Sequence, residues 1–334
     1  MSIASPFIIE ARNLVKRYGD FVAVDHLDLE VRTGEIFGIL GPNGAGKTTT
    51  LEMIEGLRRP DEGSITVAGI DAVADSDAVR RVIGVQLQTT ALFPFLSAAE
   101  LIELFASLYD ADASQARIDD LLGKVNLLDK RNNRVDQLSG GQQQRLSITL
   151  ALVNNPKVVF LDEPTTGLDP GARRDLWQTV REVRASGATV VLTTHYMEEA
   201  EVLCDRVAVM NAGRIIALGT PAGLVRELGS NATIRARVTA GAFAPGALAS
   251  LPATTGVSEE GDRLEVKTTN VQQTLVGLLD AASREGVTLD DLGAQQATLE
   301  DVFLQLAGRK LADQEPSNGE TAPAPKKRRR GFGG

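Results

Sequence analysis

The run Gly41-Pro42-Asn43-Gly44-Ala45-Gly46-Lys47-Thr48 leaves few folds open to this chain. It follows a continuous apolar segment, Ile36–Leu40, and precedes a helical stretch, Thr49–Gly56. Glycines let the backbone curl until its N–H groups converge on phosphate oxygens. A helix start behind the loop adds a field that favours anions. In such a loop Lys47 reaches the β- and γ-phosphates of a nucleotide, and the Thr48 hydroxyl ligates Mg2+. Gly41 through Thr49 are therefore candidate ATP-binding positions. The apolar strand before such a loop is buried on both faces, which predicts a parallel sheet covered by helices.

The rest of the chain agrees with that prediction. Val158–Leu161 and Ala188–Leu192 are further continuous apolar runs, and helical stretches such as Ala98–Tyr109, Gln142–Val153 and Ala172–Ser186 lie between them. Alternating strands and helices predict an α/β domain. Ahead of it, Phe7–Ala11 and Leu27–Val31 alternate polar with apolar residues, as half-buried antiparallel strands do. Val207–Met210 and Ile215–Leu218 predict a closing hairpin, and Thr220–Leu228 a short helix. The first domain is expected over 7–229. Beyond it, Ile234–Val238 and Arg263–Lys267 read as strands, and Val271–Arg284 and Thr298–Ala307 as helices. They predict a small α+β domain over 230–310. Residues 311–334 are nearly devoid of apolar side chains and are expected to be disordered, with a basic end at Lys326 to Arg330.

Composition narrows the function classes. At 334 residues and 43% hydrophobic, the chain can bury the cores of two domains. No apolar run approaches the ~18–20 residues that span a bilayer, and the N-terminus lacks a signal-peptide pattern. A cytoplasmic protein is expected, with any membrane role coming through a partner. The net charge of −9 argues against nucleic acid as a partner. A single cysteine, Cys204, excludes an internal disulfide and a cysteine-based zinc site.

Two further motifs carry chemistry. Val158–Glu163 is an apolar strand that ends in two carboxylates. Beside a phosphate loop, Asp162 would sit near Mg2+, and Glu163 would accept a proton from the attacking water. Leu138-Ser139-Gly140-Gly141-Gln142 opens another helix. Ser139 is placed to cap it, and the two glycines leave backbone N–H groups bare. These residues alone fit both a second anion site and an ordinary capped helix.

The ordered set of motifs resembles the nucleotide-binding subunit of ABC transporters. LSGGQ is that family's signature, and the resemblance implies that Ser139, Gly140, Gly141 and Gln142 face the γ-phosphate of ATP held by a second subunit. It further implies that Tyr18 stacks on adenine and that Gln88 touches Mg2+ and senses the membrane partner. Asp169, in Gly167-Leu168-Asp169, would lie at the dimer seam, and His195 would contact the γ-phosphate. The resemblance covers about residues 7 to 228. The implied fold is an ABC-type domain with an antiparallel edge sheet and a helical subdomain. The implied activity is Mg-ATP hydrolysis by a homodimer bound to a separate membrane permease at the cytoplasmic face of the membrane.

Gln296–Leu304 resembles a segment near the C-terminus of daunorubicin-resistance exporter ATPases, where the region regulates or stabilises the dimer. Its amphipathic face would be Leu299, Val302, Phe303 and Leu306. That likeness points to export of a drug, lipid or other hydrophobic molecule. The competing reading is a soluble ABC ATPase acting on ribosomes or nucleic acid. Such proteins generally carry paired nucleotide domains or long coiled coils, and neither is present in this sequence.

Overall fold

A computed structural model describes residues 5–86, 92–227 and 232–313, with side chains to residue 306. Gln88, the expected boundary near residue 229 and the basic run Lys326 to Arg330 lie outside the described residues.

In chain order the elements begin with β1 (Phe7–Tyr18), β2 (Phe21–Arg32), β3 (Ile36–Leu40), α1 (Lys47–Ile54), β4 (Glu62–Val67) and β5 (Ile70–Asp71). Next come α2 (Ser76–Val82), β6 (Ile83–Gln86), α3 (Ala98–Leu108), α4 (Gln115–Lys124), α5 (Gly140–Ala151), β7 (Val158–Asp162) and α6 (Pro170–Ala185). They continue with β8 (Thr189–Thr194), α7 (Met197–Leu203), β9 (Arg206–Asn211), β10 (Arg214–Gly219) and α8 (Pro221–Glu227). The last part holds β11 (Ala232–Ala240), β12 (Thr254–Glu260), β13 (Arg263–Thr268), α9 (Val271–Glu285), β14 (Thr288–Gln296) and α10 (Leu299–Asp313).

The central sheet has the order β10-β9-β3-β8-β7-β6. Its strands from β9 to β6 run parallel, and β10 closes the edge as the antiparallel arm of a hairpin. Every residue of β3, β7 and β8 is buried, which explains why these segments read as unbroken apolar runs rather than as alternation. Phe37 and Phe160 are fully buried. Each such side chain contributes about 1.5–3 kcal/mol through removal from water.

An antiparallel sheet, β2-β1-β4-β5, packs over one face of this layer through Ile9, Leu14, Leu29 and Val67. On the other face, α3, α4 and α5 form a helical unit whose Leu101, Ile118, Leu121 and Leu146 join the core beside Leu161 and Leu192. Local chemistry sets the helix starts. Ser97 and Glu100 form a capping box for α3, and Asp169 caps α6 with Pro170 at its first position. The architecture is the α/β fold with an antiparallel edge sheet that the motifs predict.

The third sheet, β12-β13-β11-β14, is antiparallel and covered by α9, and its core is Ile234, Leu264, Val266 and Leu278. Two of its strands, β12 and β14, have no strand signal in the sequence. Both are edges whose side chains are mostly exposed, so no alternating apolar pattern is needed to form them.

After β14 the chain returns to the first unit. Leu299 and Val302 of α10 are buried in the same core cluster as α7 and α8, and Phe303 and Leu306 pack against it. The Leu299 N–H donates to Glu201 Oε1 at 2.6 Å. The amphipathic face considered for dimerisation is thus covered within its own chain.

Candidate functional site

The phosphate loop hangs between β3 and α1. Gly41 N–H donates to the Thr194 carbonyl of the neighbouring strand, anchoring the loop at its start. Gly46 precedes α1 with φ +100°, and a Cβ there would lie 2.4 Å from the Ala23 carbonyl oxygen, so only glycine fits. This turn sets the first N–H groups of α1 around the loop. Lys47 is buried, and its Nζ donates to the carbonyls of Gly41 at 2.9 Å and Pro42 at 3.2 Å. The ammonium therefore lies folded back along the loop rather than out in solvent.

Across the loop stands the end of β7. Thr48 Oγ1 donates to Asp162 Oδ2 at 3.2 Å. Glu163 Oε1 lies 3.3 Å from Lys47 Nζ, and its Oε2 lies 3.2 Å from His195 Nδ1. Burial pushes the Glu163 carboxyl up, but Lys47 and His195 outweigh it and hold it below the usual range. Glu163 takes a left-handed backbone, φ +48°, which is strained for a residue with a Cβ.

Thr193 fastens the pair and had no motif of its own. Its hydroxyl bonds Asp162 Oδ1 and accepts from Glu163 N–H at 3.0 Å. The β7–β8 register, Asp162 opposite Thr193, makes this possible, and only pairing of distant strands reveals it.

Tyr18, Phe21, Asn43, Gly44, Lys47, Thr48, Thr49 and Glu163 line one cleft of about 360 Å³. Tyr18 ends β1, lines the cleft and is 43% exposed. Arg58 lies over the Tyr18 ring, 5.4 Å from its centroid, and pairs with Glu52 at 2.6 Å. Neither Phe21 nor Arg58 was expected from the sequence. Each enters through its position beside Tyr18, across a turn or from another strand connection.

The oxygens of Thr48 and Asp162 form a hard donor pair beside the phosphate loop, the chemistry Mg2+ prefers. The arrangement offers an anion cradle, a cation beside it, a carboxylate poised to take a proton and an aromatic platform. That set is sufficient for nucleotide binding and phosphoryl transfer to water.

Gly46 also lines this cleft, whereas Ser139 to Gln142 and Asp169 lie outside its lining. Ser139 caps α5: Gln142 N–H donates to its Oγ at 3.3 Å, and its own N–H donates to Gln142 Oε1 at 2.9 Å. Gly140 meets nothing within 4 Å of an added Cβ, whereas one on Gly141 would lie 2.9 Å from Ala172 Cβ. Asp169 accepts from the Gly171 and Ala172 N–H groups at the start of α6, and these bonds hold its carboxyl below the usual range.

Comparison with known proteins gives the same picture. The family described as ABC transporter matches residues 24–166, and the family described as ABC transporter domain-containing protein-like, C-terminal domain, matches residues 232–298. The daunorubicin resistance ATP-binding protein DrrA3 of Streptomyces coeruleorubidus is 43% identical over 297 residues, 88% of this chain and 93% of that protein. The Nod factor export ATP-binding protein I of Burkholderia thailandensis is 40% identical over 321 residues, 94% of this chain and 100% of that protein. Among solved structures, a dimeric ATP-binding cassette in a post-hydrolysis state with ADP and Pi is 30% identical with a TM-score of 0.57. That match covers 64% of this chain and 98% of the cassette.

Proposed function

This chain belongs to the ATP-binding subunits of ABC transporters, and from that premise we propose that two copies form paired ATP sites that power export through a separate membrane permease. It is an ATPase of the exporter type. Relatives named for daunorubicin resistance and Nod factor export support a drug, lipid or other hydrophobic substrate and weigh against a role on ribosomes or nucleic acid.

One observation carries the two-chain reading. Lys47, Thr48 and Glu163 line the cleft with Tyr18, while Ser139 to Gln142 lie outside that lining on the capped end of α5. A second copy can bring this helix end, with its Gly140 and Gly141, onto the open side of the cleft. In this reading adenine stacks on Tyr18, and loop N–H groups between Asn43 and Thr49 hold the phosphates. Lys47 exchanges the Gly41 and Pro42 carbonyls for phosphate oxygen, a stronger anionic partner. The partner's Ser139 and Gly141 then close on the γ-phosphate. Glu163, ionised and held between Lys47 and His195, takes a proton from the in-line water. Thr48, Asp162 and Gln88 would hold Mg2+, which would supply positive charge against the phosphates. Phosphate loss weakens the seam, and the dimer reopens through its differing affinities for the two states.

The segment from Phe93 to Leu104 passes this motion to the permease, and it presents exposed Phe93 and Phe95 for that contact. Residues 230–310 serve as the regulatory or dimer-stabilising part.

Mixing two inactive variants tests the shared site. Ser139→Arg blocks the clamp given to the partner, and Lys47→Ala removes the charge on the phosphates. Each alone should hydrolyse ATP poorly. A titration of one into the other at fixed total protein should restore ATP-dependent association and activity, with a peak near equal amounts. Full activity in either single variant would show that each chain completes its own site.

A further inference from the structure

Among the described residues, one stack next to His195 is left unused by the reading above. The imidazole of His195 and the ring of Tyr196 lie with centroids 4.1 Å apart at 39°. On Tyr196 rests the Arg173 guanidinium, 4.4 Å from the ring centroid. Arg173 belongs to the first turn of α6, the helix capped by Asp169, and its neighbour Ala172 abuts Gly141 of the signature segment.

His195 needs such support. It follows the last residue of β8, and its side chain is 30% exposed. An imidazole at a strand end can turn about two side-chain torsions, so proximity to Glu163 at Nδ1 alone does not hold the ring. The backbone beside it is fixed: Tyr196 N–H donates to Thr194 Oγ1 at 2.9 Å. α7 is pinned below, where Trp177 Nε1 donates to the buried Glu199 at 3.2 Å. The Tyr196 ring therefore stands on a rigid base, and Arg173 caps it by attraction between a cation and an aromatic face.

We infer that Tyr196 and Arg173 are positioning residues for His195, and that they tie its imidazole to the turn of α6 that carries Asp169 and touches Gly141. This rests on the reading of His195 as a γ-phosphate contact. It adds a path within one chain. The helix end that one copy offers to its partner's ATP is linked through Ala172, Arg173 and Tyr196 to the histidine that serves its own.

Steady-state ATPase assays on the full-length chain test this with Tyr196→Ala, Tyr196→Phe, Arg173→Met and His195→Ala, and with the first and third each combined with the last. Tyr196→Phe keeps the ring and should stay within about twofold of the wild-type kcat, as loss of the hydroxyl leaves the stack intact. Tyr196→Ala should lower kcat by about ten- to a hundredfold with KM for ATP unchanged, the scale expected when a catalytic group is misplaced. Arg173→Met, which preserves side-chain volume, should lower kcat less and also spare KM. In the His195→Ala background neither substitution should slow turnover further, a dependence that a general loss of folding would not show. Further slowing there would overturn the inference, as would Tyr196→Phe as slow as Tyr196→Ala. A slow His195→Ala beside a fully active Tyr196→Ala sinks the inference alone. Wild-type turnover by His195→Ala removes the reading of His195 and the inference with it.

Discussion

Glu55, at the C-terminal end of the phosphate loop's helix, is expected to weaken the fold as pH rises. It caps the C-terminal end of α1 with 1% of its surface exposed, and its Oε1 has no hydrogen-bond partner among the described residues. Burial, then the nearby charges of Asp162 and Glu52, push its carboxyl from 4.5 up to about 8. Between those values the folded chain keeps this proton while the unfolded chain releases it. Stability falls with rising pH across that window by about 1.4 kcal/mol per unit and then levels off. At pH 7 the accumulated loss is about 3 kcal/mol. Glu55→Gln has nearly the shape of the protonated acid and does not titrate, so it should match wild type near pH 4.5–5 and exceed it above. For a unit of this size 3 kcal/mol corresponds to roughly 6–12 °C in Tm. Thermal unfolding of both proteins from pH 5 to 8.5, without nucleotide, reads the gap directly and cancels every other titrating group. A gap that stays flat with pH, or one in which the glutamine variant loses ground as pH rises, would refute the reasoning.

Other outcomes follow from the cleft. Glu163→Gln should bind ATP normally but hydrolyse it about 10²–10⁴-fold more slowly, since the proton acceptor is gone; size-exclusion chromatography with ATP should show it accumulating as a dimer, and near-normal turnover would remove Glu163 from its role. Tyr18→Ala should weaken ATP binding by about 1–3 kcal/mol while Tyr18→Phe or Trp keeps affinity, because only the ring face is used. Equal damage from alanine and phenylalanine in a binding titration would exclude stacking.

Much of this architecture was legible in the linear order of residues. A phosphate loop demands a buried strand before it and a helix after it. The apolar runs at Ile36, Val158 and Ala188 declare central parallel strands because both their faces are covered. The capping signal at Ser139 is local chemistry, and the cap formed as local chemistry dictates. The strands β12 and β14 were not legible, since exposed edges bury too little to leave a pattern. Nor did the amphipathic face of α10 reveal its partner. Periodicity marks a side that must be covered, and only the folded chain shows that α7 and α8 cover it.

The candidate site divides in the same way. Sequence determined which groups are available: Lys47, Thr48, Asp162, Glu163 and His195 stand in recognisable runs, because each run must also form a particular turn or strand end. Tertiary structure decided what they touch. Strand pairing set Thr193 beside the Asp162 carboxylate and the Glu163 N–H, and folding of β1 against its neighbours set Arg58 over Tyr18. Packing of α6 against the start of α7 stacked Arg173 on Tyr196. Those contacts join residues far apart in the chain, with no period or spacing to announce them, and they exist only once the sheet order is set.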